Sequence, residues 1–242
     1  MFDGLASLGG LELSSNEISA IDTGVFSSLI NLKDLGLSNN HLTHLNDGMF
    51  DGLASLESIS LYGNKVIMIS DNAFVPLRNL ATIDLDSNSL ETLQYEVYYN
   101  PPFKNLTSLF ISSNPWNCDC RLRWLLFDGL ASLESISLYG NKMIMISDNA
   151  FVPLRNLATI DLDSNSLETL QYEVYYNPPF KNLTSLFISS NPWNCDCRLR
   201  WLRELVDLKP YLLLLPEFVK CVQPPYLQNL TWDILFPEDF VC

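Results

Sequence analysis

Cysteine offers this chain its clearest covalent chemistry. Six occur, at Cys118, Cys120, Cys195, Cys197, Cys221 and Cys242. The last four lie in Asn191-Pro192-Trp193-Asn194-Cys195-Asp196-Cys197, after a further stretch at Cys221, and at the closing Asp239-Phe240-Val241-Cys242. Four cysteines allow three pairings, and counting alone leaves all three open. Zinc is the rival use of Cys-x-Cys, but the long separations to Cys221 and Cys242, with no nearby histidine, make a poor ligand set. Disulfides would stabilise a small element and imply an oxidising compartment. Cys118 and Cys120 copy the same motif with no later partners of their own, and a bridge across one residue would be strained. They are expected unpaired, either a relic or an exposed thiol pair prone to intermolecular bonding.

Other groups are candidates for binding rather than turnover. Asp84 and Asp86, and again Asp161 and Asp163, form Asp-x-Asp pairs. One strand supplies too few oxygens for calcium, and His41 with His44 gives only two ligands, so no metal site is expected. No nucleophile elbow, phosphate loop or metal signature appears, so neither an enzyme nor a cofactor is expected. The formal net charge of −14 argues against nucleic acid as a partner, since a phosphate-binding face needs clustered Lys and Arg. It permits a basic partner or serves only solubility. Three sequons, at Asn105, Asn182 and Asn229, are candidate glycosylation sites suited to a secreted context.

The elements that must position these groups are repeats. Leu-x-x-Leu-x-Leu-x-x-Asn-x-Leu is legible at Leu8, Leu11, Leu13, Asn16 and Ile18, and returns from Leu32, Leu56 and Leu80 at steps of 24 residues. The alternating pair of apolar residues suits a short strand with one buried face. Stacking such strands in parallel buries a leucine column that no single unit could bury. Asn after the strand turns the chain, and its amide can satisfy backbone groups freed there, so stacked Asn residues should form a ladder. Phe26, Phe50 and Phe74 fill the space behind the strands.

The stretch 50–125 recurs as 127–202 with one difference, Val66 against Met143. Repeats therefore start at Leu8, Leu32, Leu56, Leu80, Leu106, Leu133, Leu157 and Leu183, about eight in all. The insertions Tyr99–Pro102 and Tyr176–Pro179 lie off the strands. The seam, near 116–126, is expected to be bridged by one slightly long repeat, giving a single arc. This divides the chain into a repeat solenoid over 1–190 and a cysteine-rich cap over 191–242. Within the cap, Cys197–Leu208 reads as a helix with Leu199, Leu202, Leu205 and Leu208 on one side, stopped by Pro210.

The repeat and the Asn-Pro-Trp-x-Cys-x-Cys motif resemble the extracellular leucine-rich repeat superfamily with its cysteine-rich C-terminal flanking domain. Toll-like receptors, Slit proteins and variable lymphocyte receptors belong to that class. The resemblance implies an α/β-type repeat solenoid: a horseshoe with a parallel β-sheet on its concave face, a mostly irregular convex side, and a disulfide-stapled C-terminal cap with one helix. It implies the pairs Cys195–Cys221 and Cys197–Cys242. It also places the non-leucine strand residues on the concave face, where Glu12, Asp34, Tyr62, Asp84, Asp86, Phe110, Tyr139, Asp161, Asp163 and Phe187 are the candidate ligand contacts. The aromatic residues are expected to be exposed, flanking the acidic pairs as recognition anchors. Asp84→Ala with Asp161→Ala should then weaken binding and leave stability nearly unchanged.

The function implied is an extracellular recognition module, a receptor ectodomain fragment that binds a protein or a microbial pattern. A matrix or adhesion scaffold without one specific ligand is the alternative. No segment approaches the roughly 20 apolar residues that span a bilayer, so membrane attachment would need segments outside this chain. The chain opens mid-repeat with no signal peptide pattern, which reads as an uncapped fragment of a longer protein. Oligomeric state is left open.

Overall fold

A computed structural model describes residues 2–91, 103–116, 130–146, 150–172 and 182–242. Cys118, Cys120 and the two insertions, with the expectations stated for them, lie outside these residues, as does most of the seam. Among the described residues, eight short strands form one parallel sheet: β1 (Gly10–Glu12), β2 (Asp34–Gly36), β4 (Ser58–Ser60), β6 (Thr82–Asp84), β7 (Ser108–Phe110), β8 (Ser135–Ser137), β9 (Thr159–Asp161) and β10 (Ser185–Phe187). Two-residue strands β3 (His44–Leu45) and β5 (Met68–Ile69) pair on the return side, and β11 (Trp193–Asn194) pairs with β12 (Cys221–Gln223) in the cap.

From β2 onward the central strand residue is apolar and buried, Leu35, Ile59, Ile83, Leu109, Ile136, Ile160 and Leu186, whereas Leu11 of β1 at the sheet's open edge is partly buried. A period-2 pleat turns the residues on either side of it to the opposite face. The sheet runs through the joint between the duplicated blocks: β7 pairs with β8 in register, Leu109 opposite Ile136. Behind the sheet the return segments contribute stacked rings, Phe50 on Phe74 at 5.9 Å and Phe2 on Phe26 at 5.8 Å.

The asparagines form the expected ladder. Asn64 donates to Leu37 O and Leu61 O at 2.9 and 3.0 Å and accepts from the Leu42 N–H at 3.1 Å, tying adjacent turns together. The pattern repeats at Asn40, Asn88, Asn165 and Asn191. The residue preceding each ladder asparagine adopts positive φ, Ser87 at 55° and Gly63 at 66°, for example. At Gly63 a Cβ would fall 2.5 Å from Asn39 Oδ1, so this turn has little room for a side chain.

The cap helix α1 spans Arg200–Leu208, with Leu199 at its N-cap. Of the leucine stripe expected from sequence, Leu199 and Leu202 are buried and Leu205 packs against the core, but Leu208 is 81% exposed, and Arg203 and Val206 complete the buried face instead. Spacing by three drifts around a helix of 3.6 residues per turn, whereas Leu202 and Val206, four apart, stay on one face. Arg203 is tolerated there because its Nε donates to Leu235 O at 2.9 Å and its Nη1 meets Asp207. The disulfides are Cys195–Cys221 and Cys197–Cys242, as the resemblance implied. No helix among the described residues is long and apolar enough to cross a membrane.

Candidate concave binding face

Parallel register arranges the outward strand residues into rows. One runs Glu12, Gly36, Ser60, Asp84, Phe110, Ser137, Asp161, Phe187. Two residues further along lies Ser14, Ser38, Tyr62, Asp86, Ser112, Tyr139, Asp163, Ser189. Backbone bonds between successive turns align this second row, such as Gly63 N–H to Asp86 O and Gly140 N–H to Asp163 O. The candidate contacts therefore share one face. Asp34 occupies a neighbouring row, opposite Gly10 and Ser58.

The acidic pairs are built into the backbone rather than freely solvated. Asp84 Oδ1 accepts the Asp86 N–H at 3.1 Å and its Oδ2 accepts the Ser60 hydroxyl at 3.2 Å. Asp161 repeats this with the Asp163 N–H at 3.0 Å and the Ser137 hydroxyl at 3.4 Å. Asp86 and Asp163 accept the N–H groups of Ser112 and Ser189 on the following turns. Alanine at Asp84 or Asp161 would thus remove structural hydrogen bonds as well as charge, so asparagine is the cleaner probe. The supporting Ser60 and Ser137 escaped the sequence reading, although their place one strand before each aspartate in the same row was legible.

Burial governs the electrostatics here. Desolvation raises the Asp86 pKa, with the neighbouring Asp84 charge adding to it and the Ser112 N–H opposing. Desolvation also raises Asp161, and it pushes Asp163 up to about 6, assisted by Asp161 and opposed by the Ser189 N–H. Among the described residues, no Lys or Arg forms an ion pair with these four carboxylates. Glu12 differs: hydrogen bonds from Ser14 hold its exposed carboxyl below the usual range. The same carboxylate lies over Gly36, where a Cβ would fall 2.2 Å from Glu12 Oε1 and the flexible Glu12 side chain would have to move.

The aromatic contacts divide into two kinds. Tyr62 and Tyr139 are exposed, at 42% and 45%. Phe110 and Phe187, expected to be exposed, are half-buried. In the row Phe110 lies between Asp84 and Ser137, and Phe187 lies beside Asp161 on the last strand of the sheet. Asn105, Asn182 and Asn229 are all exposed, though Asn182 Nδ2 donates to Arg155 O at 3.3 Å. His44 lies in β3, away from this face, and among the described residues no cluster of three or more metal-ligating side chains occurs.

A family model described as leucine rich repeat matches residues 6–66, 30–90 and 104–167. Toll-like receptor 7 of Drosophila melanogaster is 32% identical over 120 residues, 46% of this chain and 8% of the receptor. Chondroadherin of Mus musculus is 36% identical over 77 residues, 32% of this chain and 20% of that protein. The chain thus matches a small fraction of each relative's length. Human trophoblast glycoprotein, also called Wnt-activated inhibitory factor 1, superposes with a TM-score of 0.77 at 21% identity, covering 98% of this chain and 88% of that one. A chain of the octameric complex of Latrophilin 3, Unc5D and FLRT2 (LRR) superposes with a TM-score of 0.67 at 24% identity, covering 93% and 74%. At these identities the two structures speak for the fold.

Proposed function

The chain belongs to the leucine-rich repeat family, and from that premise we propose that it is an extracellular recognition module whose concave face receives a basic protein. The carrying observation is the set of four half-buried carboxylates, Asp84, Asp86, Asp161 and Asp163, with no Lys or Arg ion pair among the described residues. Holding ionised carboxylates in partial burial is unfavourable, and an incoming guanidinium or ammonium would relieve that cost. Tyr62 and Tyr139 stand exposed beside them as rigid anchors for the partner's surface. The paired disulfides support an oxidising compartment. The FLRT2 (LRR)-containing complex, an assembly with Latrophilin 3 and Unc5D, supports a protein as partner.

The test is a binding screen against a library of cell-surface and secreted proteins. A hit should be saturable, weaken with rising salt, and weaken at least about tenfold when the four aspartates become asparagine. A saturable partner whose affinity ignores that substitution would overturn the concave-face assignment. No saturable partner at all would favour the scaffold reading.

A further inference from the structure

The sheet continues past its last strand. Leu186 forms a parallel bridge with Leu213, and the Leu186 N–H donates to Leu212 O at 2.8 Å. The cap thereby supplies a ninth strand position on the C-terminal edge of β10. With Leu213 opposite Leu186, register places Leu214 beside Phe187, so the row Asp161–Phe187 runs on to Leu214. At the bridge itself Leu213 is 3% exposed, matching the buried Leu186 opposite it, and the next residue, Leu214, is 50% exposed. Leu215, Phe218 and Tyr211 in the same stretch of the cap are also exposed, at 47%, 58% and 83%.

The first copy of the block lacks this extension. Phe110 has the same preceding neighbour, Asp84, but its next neighbour in the row is Ser137. Near-identical sequence thus creates two aspartate–phenylalanine sites, and only the one nearest the cap continues into an apolar ledge.

We infer that Asp161, Asp163, Phe187 and Leu214 form one composite site for a protein segment presenting a basic side chain beside a large apolar one. This rests on the basic-partner reading above and adds the apolar half. Charge complementarity fixes one end of the segment and the ledge fixes the other. Strands lie about 4.8 Å apart, so Asp161 to Leu214, two strands on, is roughly 10 Å, the length of about three residues of extended chain. The segment therefore crosses the strands with Arg or Lys over Asp161 and Asp163 and an apolar side chain over Phe187 and Leu214.

Fluorescein-labelled Gly/Ser peptides carrying Arg and Leu three positions apart test this by anisotropy, beside peptides with Arg alone, Leu alone, or the pair adjacent. The spaced pair should bind at least about tenfold more tightly than Arg alone. Leu214→Asp should abolish that gain while Arg-dependent binding persists; Asp161→Asn with Asp163→Asn should remove the Arg-dependent part. Arg-dependent binding that needs the aspartates but shows no gain from Leu, or no effect of Leu214→Asp, overturns the composite site and leaves the basic-partner reading standing. Absence of any Arg-dependent binding overturns both. Association with phosphatidylcholine vesicles that Leu214→Asp abolishes, without peptide selectivity, would assign the ledge to a lipid surface and overturn the inference.

Discussion

Replacing Asn88 with alanine should destabilise the solenoid by about 2–4 kcal/mol, while the same change at Asn16 should cost less than about 1 kcal/mol. Asn88 is 7% exposed, and its Oδ1 accepts the buried Val66 N–H at 2.9 Å. Its Nδ2 donates to Leu61 O and Leu85 O, both at 3.0 Å, and to Asp86 O at 3.2 Å. The carbonyls keep second donors after the substitution: Asn64 for Leu61, Asn114 for Leu85 and the Gly63 N–H for Asp86. The Val66 N–H loses its acceptor. That orphaned donor accounts for about 1–3 kcal/mol and the thinned carbonyl bonds for about 1 kcal/mol more. Asn16, at the start of the ladder, donates only to the exposed Leu13 O and Ser14 O, where water can substitute. Urea unfolding followed by circular dichroism measures the difference, and hydrogen exchange at the Val66 amide localises it, since a repeat array loses stability turn by turn. Equal destabilisation by the two substitutions, or an unchanged exchange rate at Val66, would refute the ladder argument.

Stability should depend on mild acid. Asp86, Asp161 and Asp163 have folded pKa values raised above the ordinary carboxylate value, so between about pH 4 and pH 6 the folded chain binds more protons than the unfolded one. Their contribution is fully present below the unfolded value and is lost as pH rises through about 6, the value at Asp163. The melting temperature should therefore rise as pH is lowered from 7 toward 5, and Asp86→Asn with Asp163→Asn should flatten that rise; an unchanged profile would contradict the burial argument. Glu12 and Asp196, held low by Ser14 and Arg198, contribute in the opposite sense only at lower pH. In the cap, Cys195→Ser with Cys221→Ser should cost about 2–4 kcal/mol. Tryptophan fluorescence, reporting the buried Trp193 and Trp232, should then show the cap unfolding before the repeats; a single unshifted transition would count against its role as a staple.

Repeat number, the buried leucine column and the asparagine ladder were legible in residue order because each depends on contacts at a fixed sequence interval. Leu35, Ile59 and Ile83 pair one turn apart, so periodicity alone places them together. The disulfide pairing was implied by family resemblance, since spacing left three choices open. On the cap helix Leu199 and Leu202 are buried as the sequence implied, but spacing by three carries Leu208 round to solvent, and the buried Arg203 depends on Leu235, 32 residues away. The candidate contacts were brought to one face, but the sequence could not show that Ser60 and Ser137 hold the aspartates or that Phe110 and Phe187 are half-buried. The duplication separates what local sequence determines from what folding decides. Trp116 and Trp193 sit in the same local motif, and each indole donates to the preceding isoleucine carbonyl, Ile111 O and Ile188 O, at 2.9 and 2.7 Å. Trp116 is only half-buried, while Trp193 is fully buried and belongs to a strand paired with β12 of the cap. Local geometry was encoded in the shared motif; burial was decided by the chain that folds against it, which the motif does not contain.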